Sequence, residues 1–145
     1  MMARHSKIKV QKLPQREASL QLEISKYIQV AYPAVIFTAE SSGIRVSMGT
    51  AMKMKRQRST HKHLDMIIDE ARGGFHGMRL ELKAQDDSPY LMDNTISKKE
   101  HVQEQYKMIL YYRAKGFYSN FAVGFEDAKK QIDAYMRFPE TKTSV

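Results

Sequence analysis

Six consecutive residues constrain this chain most. Met78, Arg79, Leu80, Glu81, Leu82 and Lys83 alternate between apolar and charged. A period of two marks a strand with one packed face and one polar face. Gly73, Gly74 and Gly77 form a turn signal just ahead, and Leu64, Met66, Ile67 and Ile68 form an earlier β-rich run. Two such runs joined by a short Gly-rich link predict an antiparallel hairpin, with strands over residues 64–69 and 78–83.

The flanking segments read as helices and two more strands. Leu20, Ile24, Tyr27, Ile28 and Ala31 recur every three or four residues, so residues 15–31 are expected to be helical. Tyr32-Pro33 ends that helix, because the residue before proline avoids the helical region. Residues 35–38 follow as a strand, Ser41-Ser42-Gly43 as a turn, and residues 49–59 as a short helix with a thin apolar stripe. Residues 86–95 read as a polar loop. A long helix is expected over 97–115, with Ser97 as N-cap, Glu100 at the capping-box position and Gly116 as the C-terminal glycine. A last strand over 119–124 and a helix over 125–138 complete the order α-β-(α)-β-β-α-β-α. This is an α/β chain whose mixed sheet is flanked by helices.

Charge is placed unevenly. Residues 1–62 hold 12 Lys/Arg against 3 Asp/Glu, and residues 63–145 hold 12 against 13, so the net +8 resides in the first part. Lys53, Lys55, Arg56, Arg58 and Lys62 form the densest run, a pattern suited to phosphates. A solvated helix face explains such a run equally well. Residues 1–14 are basic and polar and are expected to be a flexible arm ahead of one domain over 15–145. The absence of cysteine excludes disulfides, thiol catalysis and Cys-ligated zinc. No apolar run approaches the roughly 20 residues that span a bilayer, and no secretory signal is expected, so a cytoplasmic protein is the starting expectation.

The hairpin also concentrates chemistry. Arg79, Glu81 and Lys83 share one face, and an antiparallel neighbour can bring Asp65 beside Glu81. Two carboxylates and an ammonium would then converge. Hard carboxylate oxygens suit Mg²⁺ or Mn²⁺, and the lysine could orient a water for attack on phosphorus. The plain alternative is an amphipathic hairpin with Glu81 and Lys83 in water. His61, His63 and His101 lack a paired ligand at helical spacing and are expected at the surface. Asp86, Asp87 and Asp93 are expected in a solvated loop. Tyr106, Tyr111 and Tyr112 suggest a dimer patch, with core packing for at least one of them.

Asp65, fifteen intervening residues, then Glu81-Leu82-Lys83, placed on two strands of a hairpin, resembles the PD-(D/E)xK nuclease superfamily. The resemblance extends to its VRR-NUC branch through seven landmarks in order. They are Glu17 with Gln21, Tyr32-Pro33, the Ser41–Arg45 turn, Leu64-Asp65, the 80–83 strand, Gln105 with Gly116-Phe117, and the segment from Glu126 to Tyr135. The chain departs from the pattern at Leu64, where the family has proline. It also has basic residues around Arg58 and Lys62 in place of glycines, and a longer loop at 86–95.

The resemblance implies a restriction-endonuclease-like core and a role for each matching residue. Asp65 and Glu81 would hold the metal with the backbone carbonyl of Leu82, and Lys83 would position the attacking water. Glu17 would reach the metal through water or a second ion. Gln105 would touch the metal-bound water or support Lys83. Arg45, Lys53, Lys55, Arg56, Arg58 and Lys62 would grip DNA. Glu23 rivals Glu17 but lies about 85° from the centre of the apolar stripe, against about 35° for Glu17. The implied activity is Mg²⁺- or Mn²⁺-dependent DNA cleavage, with four-way junctions as one substrate and a symmetric homodimer as the scaffold. A non-catalytic DNA-binding module and an accessory subunit of a phage replication or packaging complex are the alternatives.

Overall fold

The computed structural model describes residues 13–40 and 46–142. Within them lie α1 (Leu13–Ala31), β1 (Phe37–Ala39), α2 (Met48–Arg56), β2 (Met66–Ile68) and β3 (Met78–Lys83), followed by α3 (Glu100–Ala114), β4 (Tyr118–Val123) and α4 (Gly124–Met136). The sheet order is β1-β2-β3-β4. The first two pairings are antiparallel, and β3 pairs β4 in parallel. The expected hairpin is therefore present, and α3 is the crossover that a parallel pair requires.

Helices cover both faces of the sheet. Leu20, Ile24 and Ile28 of α1 pack with Met66, Ile68, Met78, Leu80 and Leu82 on one side, together with Ala128, Ile132 and Tyr135 of α4. On the other side Val102, Ile109 and Tyr112 of α3 enclose Leu64 and Phe121. Each fully buried aliphatic side chain contributes roughly 1.5–3 kcal/mol of transfer free energy. The two-sided cover explains why β3 is buried almost throughout, although its sequence alternates.

Several boundaries differ from expectation for local reasons. α1 begins at Leu13, with Pro14 in its first turn where a missing N–H is harmless. Ala31 is exposed rather than part of the packed stripe. β1 starts at Phe37 rather than Val35, because Val35 N–H bonds back to Tyr32 C=O in the turn after Pro33, and Ile36 is exposed. β2 is only three residues long, and Leu64 joins the α3 cluster instead. α3 starts at Glu100, not Ser97. Ser97 N–H bonds Pro89 C=O across the 86–96 loop and its Oγ accepts from Lys99 N–H, so it closes that loop rather than capping the helix. Gly116 does end α3, at φ +91°. The rest of the expected arm, residues 1–12, and the Ser41–Arg45 turn lie outside the described residues. Among the described residues no helix is long and apolar enough to cross a membrane.

Candidate active site

The register of the hairpin assembles the site. Met66 pairs with Leu80, so Asp65, the residue just before β2, lies opposite Glu81. Asp65 Oδ2 accepts a hydrogen bond from Leu82 N–H at 2.9 Å. Glu81 is 7% exposed and Lys83 only 2%. The alternative of a wet, solvated Glu and Lys is thereby excluded. Glu81 lies in register with Phe121 of β4, on the face that α3 covers.

Burial sets the electrostatics. It pushes the Glu81 carboxyl well above its ordinary value, and the neighbouring Asp65 adds to the rise, with Lys83 opposing. Burial also raises Asp65, against the bond from Leu82 N–H and the charge of Lys83. Glu17 of α1 is raised by burial too, and it senses Lys83 first, then Asp65 and Asp87. Three carboxyl groups therefore share the field of one ammonium. Glu23 is exposed and faces a different depression, between α1 and residues 84–86.

Two glutamines hold this group. Gln105 Nε2 donates to Glu81 Oε1 at 2.7 Å. Its own Oε1 is buried and has no hydrogen-bond partner among the described residues. Gln21 Nε2 donates to two backbone carbonyls, Glu40 at 2.9 Å and Asp65 at 3.2 Å, and so ties α1 to the chain that carries Asp65. In the sequence Gln21 stands only as a landmark. Its position four residues after Glu17, beside the apolar stripe, is the signal that it faces inward. Arg58 pairs with Glu40 at 3.1 Å instead of standing free for phosphate.

Glu17, Gln21, Glu40, Asp65, Glu81 and Gln105 line an open cleft of about 1310 Å³, walled by residues 59–64 on one side and by α3 on the other. Lys62, His61, His63 and His101 line it. His63 Nδ1 lies 2.9 Å from the Tyr112 hydroxyl. Lys53, Lys55 and Arg56 lie on α2, none of whose residues is buried. Arg45 lies outside the described residues. The acidic loop does not assemble a second cluster: Asp86 pairs with Arg16, and Asp93 accepts from Thr95. Arg79, on the same strand face as Glu81, packs its guanidinium 4.5 Å above the Phe117 ring and serves packing.

Among the described residues no cluster of three or more His, Asp or Glu side chains stands ready to hold a metal ion. A cation here would draw instead on two carboxylates, backbone oxygen and water. That donor set suits a hard divalent ion. The unpartnered Gln105 Oε1 fits the same picture, since it can accept from a water on such an ion.

No protein-family model matches the sequence, and no curated protein matches it. A solved structure described as a VRR_NUC domain protein does match, with a TM-score of 0.62 and 20% identity, over 92% of this chain and 96% of that chain. The two share a fold. The α/β architecture expected from the sequence, a mixed sheet flanked by helices in a restriction-endonuclease-like arrangement, is the one observed.

Proposed function

We propose that this chain is a metal-dependent DNA endonuclease. One observation carries the reading: Asp65 and Glu81 meet at the floor of an open cleft with Lys83 buried on the same strand face as Glu81, a costly arrangement that packing alone does not require. Asp65, Glu81 and the Leu82 carbonyl would hold Mg²⁺ or Mn²⁺, with Glu17 and Gln105 acting through water. When bound, the ion neutralises charge on the phosphate and lowers the pKa of a bound water. Lys83 orients the attacking water and stabilises the negative charge that develops on it. Gln105 fixes the Glu81 carboxylate, and Gln21 fixes the chain at Asp65. Hydrolysis forms a phosphorus–oxygen bond to water and breaks the bond to the 3′ oxygen, leaving a 5′-phosphate. Lys53, Lys55, Arg56 and Lys62 contact the backbone. Branched DNA such as a four-way junction, cut by a homodimer with two sites, is the substrate and assembly this reading favours, in the cytoplasm of a bacterial or phage-infected cell.

The test incubates the protein with Mg²⁺ or Mn²⁺ and linear, nicked, flap and four-way junction DNAs, with Glu81→Ala and EDTA as controls. Cleavage lost in both controls supports the proposal and names the substrate. Binding without cleavage on every DNA refutes it and leaves a non-catalytic DNA-binding or accessory role.

A further inference from the structure

The two walls of the cleft differ in chemistry. Residues 59–63 present Lys62 and His61. The α3 wall presents Glu100 and Glu104, and its cation Lys107 is already paired with Glu104 at 3.1 Å. Further along the same face of α3 stands Tyr111, 52% exposed and lining the cleft. Its ring rests edge-on against Tyr112, with centroids 5.4 Å apart. Tyr112 is in turn buried and held by His63. Tyr111 is thus a half-exposed aromatic ring on a fixed support, with the Lys115 ammonium over it at 5.7 Å from the centroid.

A duplex brings two phosphate backbones. One would follow residues 59–63, but the other would meet the acidic α3 wall, where repulsion opposes it. A single strand avoids that conflict by pointing phosphates at the first wall and bases at the second. Aromatic rings accept any base by stacking, and base amino groups can donate to glutamates. Tyr111 lies six residues beyond Gln105, or about 9 Å along the helix axis. At the roughly 3.4 Å rise of a stacked strand, that is about two to three nucleotides from the carboxyl group.

We propose that the cleft takes a DNA strand whose bases are unpaired beside the cut, with its phosphates along residues 59–63 and one base stacked on Tyr111. The proposal rests on the nuclease reading for its site and adds the class of substrate. It predicts that flaps, gaps and opened junctions are preferred over continuous duplex.

The test measures binding in EDTA, so that it stands apart from catalysis. Full-length protein, Tyr111→Leu and Tyr111→Phe are titrated with a single-stranded oligonucleotide carrying one aminopurine, and with a duplex hairpin. Stacking of one base is worth about tenfold in affinity or more. Tyr111→Leu is therefore expected to weaken single-strand binding about tenfold and to relieve aminopurine quenching. The duplex affinity is expected to stay put, and Tyr111→Phe to bind like the parent. Unchanged single-strand affinity in Tyr111→Leu overturns the proposal. So does an equal loss on duplex, or a change of oligomeric state in sedimentation, which would make Tyr111 part of a self-interface. If no DNA is cleaved under any condition, the nuclease reading fails, while the EDTA titration still decides the stacking.

Discussion

Replacing Glu81 by glutamine isolates the charge at the centre of the site. The change is isosteric. The substituted side chain keeps an oxygen to accept from Gln105, and its new amide stands opposite Asp65. Lys83 retains Asp65 and Glu17 as counter-charges. What disappears is one buried carboxylate. Folding raises the Glu81 pKa, chiefly by burial, so its ionisation opposes folding. The carboxyl's contribution to stability is fully present below its ordinary value of 4.5 and is lost as pH rises through the folded value. At pH 7 the loss is bounded. The protein can always keep Glu81 protonated, at about 1.36 kcal/mol for each pH unit above 4.5, so the loss is at most about 3.4 kcal/mol.

Glu81→Gln is therefore expected to stabilise the metal-free protein at pH 7 by about 1–2 kcal/mol, inside that bound. For a chain of 145 residues this raises Tm by roughly 3–7 °C. The assay is thermal unfolding in EDTA from pH 4 to 8. The gain should vanish near pH 4, where Glu81 is itself neutral. Adding Mn²⁺ should stabilise the parent, by about 2.7 kcal/mol at a hundred times its Kd, and so raise its Tm, while leaving the variant unmoved. A variant less stable than the parent at pH 7, or a difference that does not depend on pH, would refute the reasoning.

The remaining expectations concern three other parts of the molecule. Lys83→Met should reduce cleavage at least about a hundredfold while DNA binding in EDTA persists; cleavage near the parent rate would remove Lys83 from the chemistry. Substituting Lys53, Lys55 and Arg56 together by Ala should reduce the slope of log affinity against log salt by about 2.7, near 0.9 for each lost phosphate contact, and an unchanged slope would show α2 to be a bystander. Gly116→Ala should cost about 1–3 kcal/mol in urea unfolding, because the position has φ +91° and a Cβ there would lie 2.7 Å from His76 Cδ2. An unmoved urea midpoint would contradict that.

The hairpin was legible because its information is local. Alternation at 78–83 fixes the faces, the short Gly-rich link fixes the pairing, and together they put Asp65 opposite Glu81. What escaped the sequence depends on distant chain. The alternating pattern implies one wet face, yet Glu81 and Lys83 are covered because α3 crosses the sheet to let β4 pair in parallel. The Ser97 capping pattern failed because Pro89, eight residues earlier, takes the Ser97 N–H. Arg58 looked free in a basic run, but Glu40 from the end of β1 holds it. The thin apolar stripe over 49–59 was a truthful signal: α2 forms and buries nothing.

A second polar cluster in the same molecule shows why the first one reads as functional. Asp133 of α4 accepts from the Tyr27 and Tyr32 hydroxyls, the latter at 2.7 Å, and pairs with Lys129 at 3.3 Å. Burial pushes its carboxyl up, but those bonds outweigh it, and the group sits below its ordinary value. The charge there is complete, and the cluster ties α1 to α4. At Asp65 and Glu81 the balance runs the other way. Both carboxyls are held above their ordinary values, and Gln105 keeps a buried oxygen without a partner among the described residues. A network whose purpose is to hold helices together gains nothing from such deficits, since a buried unsatisfied acceptor costs about 1–3 kcal/mol. A site that must take up a cation and its water has a use for both of them. The difference between the two clusters, rather than the presence of acidic residues as such, is what favours the floor of the cleft as the proposed metal site.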